Sequence, residues 1–435
     1  MTSEWAAAAR LVRRTGFGAT GTEVDAVVKQ GMAAFVTRTL AADPDADAGA
    51  RRTPVPHFEA VDRPVKDADA DAKKARNKKL HAQGTQATAW WLRRMVAAES
   101  AFGEKSTFVW HGHFATSLKK VRDARVMLAQ NQKLRTLGRG DFHTLASAVL
   151  TDAATLRWLD GEKNTVKGPN ENLAREFMEI FTLGHSDGYT EQDVRQGARA
   201  LTGLKINRAT GATRLVPALH DNGSKTFLGV TGDLGPTQYC DAVLARPGGP
   251  AYIVNRLWAQ YVSSTPPAKD VLARLTAAYG AKRDLKALFT ALFTDPSFAA
   301  AEGSLIIGPT EWLIGSARIL RVSLDDARSA AQAAGALDSL GQLPFYPPSV
   351  GGWPSGQVWA STAAADLRFR YAAMLVKQAQ LPALAGSVTS RLEAVAHLLG
   401  VDTWSARSLA VLKGSASNAA QLVAVALNTP EYLVH

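Results

Sequence analysis

Residues 168–184 read GPNENLAREFMEIFTLG, and this stretch decides the fold class. Its apolar side chains recur at the spacing of an α-helix, and Gly184 is suited to end that helix. The sequence therefore predicts a helix over about 170–183. Its buried face is predicted to carry Leu173, Phe177 and Ile180.

The same helical spacing recurs along most of the chain. It is found at 24–40, 90–97, 142–150, 194–204, 253–262, 285–293, 313–320 and 419–427. The spacing fails at 205–217, where short apolar runs flank a turn and indicate a β-hairpin. We therefore predict an all-α protein, a single helical domain over 1–435, with a small β-hairpin near 205–217.

The composition is that of an ordinary globular protein, with 46% hydrophobic and 20% charged residues. No run of about eighteen apolar residues occurs, so no membrane span and a soluble chain are expected. Residues 62–83 are rich in Asp and Lys and poor in large apolar side chains. This segment is predicted to be a charged, exposed arm or insertion within the helical domain.

The formal net charge is +11, which favours anionic partners such as a small molecule or a polymer. Seven basic residues crowd into 119–139, opposed only by Asp123. This band is either a solvated helix face or a binding surface for anionic polymers. No nucleic-acid reading motif accompanies it, so sequence-specific nucleic-acid binding is not expected.

The N-terminal region carries two motifs that resemble functional signals. Arg13 and Arg14 form a twin-arginine pair, but the apolar stretch of an export signal does not follow, so a cytoplasmic location is expected. Residues 16–21 fit G-x-G-x-x-G, yet a helical pattern precedes them where a nucleotide-binding fold needs a strand. The single cysteine, Cys240, excludes an intramolecular disulfide. No nucleotide or flavin motif is identified, and the cofactor is unknown.

The polar face of the 170–183 helix carries a ladder of charges at i, i+4 spacing, formed by Glu171, Arg175 and Glu179. Such a ladder is usually solvated and contributes little to stability. Alternatively it faces a cleft, where paired carboxylates bind a cation or divide acid and base roles. Residues 344–359 form a Pro, Gly and Trp-rich loop, in which Trp353 and Trp359 either stack on a ligand or anchor the loop.

Several motifs together resemble the bacterial family called domain of unknown function 1800. They are RRTGFG at 13–18, FVWHGHFATS at 108–117, the stretch 170–184, YTEQDV at 189–194, ARALTG at 198–203, HDNGSKTFLG at 220–229 and PPSVGGW at 347–353. The resemblance extends over nearly the whole chain. It implies no established activity, and many members of the family are exported.

The family motifs fall on polar residues that a solvated surface would not need to specify. The resemblance therefore favours a buried polar cluster, which is either catalytic or a structural network. The candidate catalytic residues are Glu176, Glu179, His220 and Asp221. The candidate substrate-binding residues are Arg175, Asn170, Glu171, Lys225 and Trp353.

His111 and His113 are candidate metal ligands, and a divalent metal is the cofactor such a pair would hold. Two residues apart on a helix they point to opposite sides, so both reach one metal only from an irregular turn. Asp221 either assists His220 in acid–base chemistry or hydrogen-bonds within its own turn.

Two functions of different class follow. The first is an enzyme acting on an anionic or carbohydrate-like substrate, in which Glu176, Glu179, His111 and His220 surround one cleft beside Arg175. The second is a non-catalytic binding or assembly protein with a structural polar network. A third, weaker reading is a non-specific binder of nucleic acid or another anionic polymer through residues 119–139.

Overall fold

A computed structural model describes residues 3–62, 69–185, 188–301, 303, 305–381 and 386–435. The described part of the chain is predominantly helical, as predicted. The first helices are α1 (Ser3–Thr15), α2 (Gly21–Gln30), α3 (Met32–Ala41), α4 (Ala48–Arg52), α5 (Ala70–Ala97), α6 (Ala101–His113), α7 (Leu118–Val121), α8 (Ala124–Leu137), α9 (Phe142–Leu150), α10 (Ala153–Trp158), α11 (Asn172–Glu176) and α12 (Glu191–Ala200).

The second half of the chain continues in the same manner. Its helices are α13 (Pro236–Leu244), α14 (Gly249–Tyr261), α15 (Lys269–Tyr279), α16 (Leu285–Thr294), α17 (Pro296–Ala300), α18 (Pro309–Ile319), α19 (Ala327–Ser339), α20 (Thr362–Gln378), α21 (Val388–Leu398), α22 (Ala406–Ser415), α23 (Ala419–Ala426) and α24 (Pro430–Leu433). Short 3₁₀ turns lie at Gly161–Lys163, Pro217–Leu219 and Gly356–Ala360. Asp, Ser or Thr side chains cap many of these helices, and Thr190 forms a capping box with Asp193.

The predicted helix over 170–183 is present, but it changes type midway. Helix α11 continues directly into a π-helix over Phe177–Thr182. The Leu183 N–H accordingly donates to the carbonyl of Met178, five residues earlier. Buried pairs therefore recur every four residues along this segment, at 173–174, 177–178 and 181–182. Leu173 and Phe177 are buried as predicted, whereas Ile180 is only half-buried because the wider turn rotates it outward.

The predicted β-hairpin near 205–217 is confirmed. Strand β1 (Leu204–Ile206) pairs antiparallel with β2 (Thr213–Leu215). A second hairpin, which was not predicted, pairs β3 (Lys225–Phe227) with β4 (Val230–Gly232). Its two-residue turn places Leu228 at φ 48° and Gly229 at φ 83°, the left-handed geometry of a tight hairpin.

The buried side chains fall into two large clusters and a small one near α1 and α2. The first large cluster centres on α9, the π-helix, α14 and α16. The second centres on α5, α18, α20 and α23. Trp158 and Ile206 pack against both large clusters, so the two cores meet there. The single domain over 1–435 remains a prediction.

The charged segment predicted at 62–83 falls partly on the first half of α5. Residues 63–68 lie outside the described residues. From Ala70 to Lys79 most side chains are exposed, and Leu80 is the first buried one. Arg76 donates to the carbonyl of Asp62 and Gln83 to that of Glu59, so α5 also contacts the irregular segment that precedes it.

The G-x-G-x-x-G segment at 16–21 connects two helices. Helix α1 precedes it and α2 begins at Gly21, which is the helical context that the sequence indicated. Gly18 lies at φ 85°, and its neighbour Phe17 approaches the backbone of α18 at Gly315. Within the described ranges, no helix is long and apolar enough to cross a membrane.

Candidate functional site

The charge ladder on α11 and the π-helix forms as predicted and gains a fourth member. The Arg175 guanidinium contacts Glu171 at 3.1 Å and Glu179 at 3.4 Å. It also binds both carboxylate oxygens of Glu191 from α12, each at 2.7 Å. Glu191 is 64% exposed, so this network lies near the surface, where ion pairs contribute little to stability.

Glu176 and Glu179 lie beside each other on the same polar face. Partial burial and the nearby Glu179 charge raise the pKa of Glu176. The Glu179 carboxylate is 17% exposed and lies 3.6 Å from His185 Nδ1. Burial, with the Glu179 charge and hydrogen bond, raises the pKa of Tyr189 to about 12. This face therefore holds two neighbouring carboxyl groups, and the pKa of one of them, Glu176, is raised.

His220 and Asp221 follow the first hairpin, and both contact Thr202. His220 Nδ1 lies 2.9 Å from the carbonyl oxygen of Thr202. The Asp221 carboxylate accepts from Arg199 at 2.7 Å and from the Gly223 N–H at 2.9 Å. The Arg199 hydrogen bond lowers the pKa of Asp221. The turn interaction that the sequence offered as one interpretation is therefore present.

Asn170 and Lys225 are both engaged in local structure. The Asn170 N–H donates to Asn164 Oδ1 at 2.9 Å, and its own side-chain oxygen accepts from the Asn172 N–H at 3.0 Å. Lys225 is buried, and its Nζ contacts Asp233 at 2.9 Å. These contacts order the start of α11 and the second hairpin. The predicted substrate-binding roles of the two residues remain predictions.

His111 and His113 lie in α6, in two different environments. The His111 ring contacts those of Trp91, Phe345 and Trp353, with centroids about 5.5 Å apart. Among the described residues nothing hydrogen-bonds to its Nε2. Burial lowers the pKa of His111 to about 3, so the ring is neutral at physiological pH.

His113 connects α6 to the π-helix. Its Nε2 lies 2.9 Å from the carbonyl oxygen of Phe181, and Arg256 Nε approaches its Nδ1 at 3.4 Å. Because Arg256 is a donor, Nδ1 accepts and Nε2 carries the hydrogen. Burial, aided by the Arg256 charge, lowers the pKa of His113 to about 3. In the part of the chain that the structure describes, no group of three or more His, Cys, Asp or Glu is arranged to hold a metal ion.

A cavity of about 630 Å³ lies beside His113. Its walls come from α6, α14, the first turn of α18, the loop 344–359 and residues 434–435. Along α6 the lining residues are Lys105, Phe108, Val109, Trp110, Gly112 and His113, and all of them except Trp110 share one helix face. The loop that the sequence singled out for its Trp, Pro and Gly content therefore forms one wall of this cavity.

The cavity is rich in positive charge. Three cationic side chains line it, namely Arg14, Lys105 and Arg256, and Glu311 is the one carboxylate among the described lining residues. Lys105 is 2% exposed, and its Nζ contacts the Glu311 carboxylate. Burial and the neighbouring Arg14 lower the pKa of Lys105 to about 7. The lining thus holds three cationic side chains and one carboxylate, and that carboxylate is paired with Lys105.

Aromatic rings form the other side of the cavity. Trp353 stacks on Phe108 at 5.1 Å between centroids, with an interplanar angle of 23°. The indole Nε1 of Trp353 is buried and has no hydrogen-bond partner within the described ranges. Trp359 is buried, and its carbonyl accepts from Arg368 at 2.8 Å. Trp353 therefore both anchors the loop and lines the cavity.

The structure divides the predicted site residues into separate groups. Of these residues, only His113 and Trp353 line the cavity. Glu179 lies beside Tyr189, Glu176 lies beside Glu179, and His220 faces Thr202. No hydrogen bond or ion pair between described residues joins these three groups. The catalytic roles of Glu176, Glu179, His220 and Asp221 therefore remain predictions.

Sequence reasoning overlooked Lys105, Arg256 and Glu311. A usable signal existed for Lys105, which precedes Val109 by four residues and His113 by eight in α6. Arg256 and Glu311 lie in segments whose apolar spacing indicated core helices. No neighbouring motif in the sequence marks either residue as part of a site. Only the tertiary fold brings the three side chains to one cavity.

The basic band at 119–139 is largely occupied by internal contacts. Lys120 pairs with Asp160, Arg125 with Asp123, and Lys133 with Asp152. Arg135 is fully buried and binds both oxygens of Glu104, which Arg94 also contacts at 2.6 Å. Although burial alone would raise it, these two arginines lower the pKa of Glu104 to about 2. Much of this charge therefore stabilises the helical core.

Comparison with known proteins identifies the family of the chain. No curated protein and no solved structure matches the sequence. The profile of the family described as "Protein of unknown function (DUF1800)" matches residues 10–434, nearly the whole length. The chain therefore belongs to the DUF1800 family.

Proposed function

We propose that this chain binds an anionic organic molecule in the cavity lined by Lys105, Arg256 and Trp353. The observation that carries the proposal is the convergence of Arg256, Lys105 and Trp353 on one partly enclosed space. A volume of about 630 Å³ lies within the range of small-molecule sites. Lys105 is paired with Glu311, so Arg256 is the cation that an anionic ligand would bind.

Two residues of the lining favour different parts of such a ligand. The guanidinium of Arg256 can bind a carboxylate or phosphate through two N–H groups. The Trp353 ring presents an apolar surface, and its buried indole N–H has no partner among the described residues. These features support a ligand that has an anionic group and a flat or ring-shaped body.

Titration calorimetry with a panel of anions tests the proposal. The panel contains pyruvate, 2-oxoglutarate, glucose 6-phosphate and benzoate, with acetone and glucose as neutral counterparts. We expect at least one anion to bind, and Arg256→Gln to weaken that binding by about tenfold or more, because a charged hydrogen bond is lost. Arg214→Gln is the matched control, since Arg214 is exposed on β2.

The outcomes separate a specific site from general attraction. Binding that Arg256→Gln and Arg214→Gln reduce equally would show attraction to the net charge and would contradict the proposal. No binding of any anion in the panel at low salt would also contradict it.

A second candidate function is acid–base chemistry at Glu176 and Glu179. It is favoured by the raised pKa of Glu176 beside a second carboxylate, an arrangement that enzymes use to separate acid and base roles. Arg175 lies 3.4 Å from Glu179, and Glu176, with its raised pKa, would take up the proton. A melting experiment on Glu176→Gln, given in the Discussion, distinguishes this role from a structural one.

A further inference from the structure

Lys105 and Glu311 meet at the wall of the anion cavity. Lys105 lies in the second turn of α6 and Glu311 in the first turn of α18. The Lys105 Nζ contacts the Glu311 carboxylate, which is 21% exposed. Both residues line the cavity, together with the guanidinium of Arg256. An amine, a proton acceptor and an anion-binding group therefore share one enclosed space.

The groups around Lys105 act on its protonation in opposite directions. Burial removes water from the ammonium group, the positive charge of Arg14 opposes protonation further, and together they lower the pKa to about 7. The contact with the Glu311 carboxylate favours the ammonium form instead, so the amine is the fraction of Lys105 that can attack a carbonyl group. Desolvation and a neighbouring cation are the means by which proteins activate lysines for attack on carbonyl groups.

We infer that Lys105 forms an imine with a small carbonyl compound that carries a carboxylate, such as a 2-oxo acid, with Glu311 transferring the protons. This inference rests on the proposed anion cavity and names its ligand class. The carboxylate of the compound binds the cationic side of the cavity. Its carbonyl carbon lies within reach of the Lys105 nitrogen.

The step balances without any further reactant. The nitrogen lone pair of Lys105 attacks the carbonyl carbon, and the C=O π electrons move to the oxygen. Glu311 accepts one proton from the nitrogen and gives it to that oxygen, which yields a carbinolamine. The nitrogen lone pair then forms the C=N bond as the C–O bond breaks. The remaining N–H proton passes through Glu311 to the departing hydroxyl, which leaves as water.

Borohydride trapping of the full chain tests the inference. The protein is incubated with pyruvate, 2-oxoglutarate or acetone, sodium borohydride is added, and the products are analysed by intact mass and peptide mapping. We expect a stable adduct with a 2-oxo acid, located on Lys105, and little with acetone because it lacks the anionic group. Lys105→Arg should abolish the adduct, whereas Lys286→Arg, a change on the exposed face of α16, should not.

Glu311→Gln separates proton transfer from binding. We expect this variant to form the Lys105 adduct on the order of a hundredfold more slowly, since it retains a similar shape but cannot accept a proton. Calorimetry on the same variant should show that 2-oxo acid binding persists. A variant that traps as fast as the unaltered protein would contradict the role of Glu311.

The unaltered protein alone tests whether the imine forms on Lys105. The result therefore does not depend on whether a variant folds. If a 2-oxo acid binds but no adduct forms on Lys105, the imine is overturned and the anion cavity stands. An adduct spread over surface lysines would also overturn it. If no anion binds at all, the proposed function fails together with the imine.

Discussion

Gly352 of the loop 344–359 lies so close to Gly112 of α6 that a Cβ atom on it would stand 2.2 Å from the Gly112 carbonyl oxygen. Gly352 also has φ 84°, in the left-handed region that favours glycine. The close approach holds Trp353 against Phe108 and the Gly112 position. Gly112, which lies between His111 and His113, therefore packs against Gly352, which precedes Trp353.

Gly352→Ala should therefore displace the loop. We expect a loss of roughly 2–5 kcal/mol in the free energy of unfolding, from backbone strain and a steric clash. Gly356→Ala is the control, because Gly356 also has positive φ but nothing within 4 Å of a Cβ atom. That control should lose only about 1–2 kcal/mol. Equal losses in urea denaturation would show that the contact with Gly112 is unimportant.

Glu104→Gln should destabilise the protein by roughly 3–5 kcal/mol, because it removes the charge of the carboxylate that two buried arginines share. The Glu104 side chain is 1% exposed, and Arg94 and Arg135 both bind it. Chemical denaturation at pH 7 measures the loss. Glu99→Gln, at a site 64% exposed, is the control and should change stability little.

The Glu104 carboxylate should also make the stability of the protein depend on pH. Its pKa is about 2 in the folded state and 4.5 without the fold, so the unfolded state binds the proton more readily. The stabilisation is therefore fully present above about pH 4.5 and is lost as the pH falls toward 2. Melting temperatures between pH 6 and pH 2 should fall less steeply for Glu104→Gln than for the unaltered protein. Parallel curves would contradict the assignment.

Phe177→Ala should cost roughly 3–5 kcal/mol, since it removes a fully buried ring from the π-helix. That ring packs against Tyr239, with centroids 5.8 Å apart. Phe369→Ala is the control, because Phe369 is 46% exposed on α20. A loss below about 1 kcal/mol for Phe177→Ala in denaturant titration would contradict the burial of this face.

Glu176→Gln should leave the melting temperature unchanged or raise it slightly at pH 7. Partial burial and Glu179 raise the pKa of Glu176, so ionisation of this carboxyl disfavours the folded state as the pH rises. Removal of the charge relieves that effect. A large fall in melting temperature would assign Glu176 to a structural network and count against acid–base chemistry at this pair.

The sequence predicted those elements of secondary structure that depend on the spacing of nearby apolar residues. The apolar spacing of residues 170–183 was sufficient for a helix with Phe177 buried, and the failed spacing at 205–217 was sufficient for a hairpin. The π-helix was not predictable from an assumed rotation of about 100° per residue. The buried pairs of α11 and the π-helix recur every four residues, at 173–174, 177–178 and 181–182. This spacing fits a wider turn better than a regular α-helix.

The cavity illustrates what local pattern cannot supply. Lys105 and His113 share a face of α6, but Arg256 and Glu311 come from helices more than a hundred residues away. Their side chains sit in segments that otherwise indicate buried core. The second hairpin was missed for a different reason, since Leu228 adopts a turn conformation that is unusual for leucine.

The cavity walls would also link the binding of the proposed ligand to the folding of distant parts of the chain. Arg14 and His435 both line it, and His435 exchanges main-chain hydrogen bonds with Leu305. Contacts between residues so far apart in sequence are costly to form early in folding, because long loops must close first. A truncated chain that still contains α6 would keep Lys105 but lack the opposing walls. A ligand at a hundred times its Kd would stabilise the assembled state by about 2.7 kcal/mol, so heat resistance itself would report occupancy.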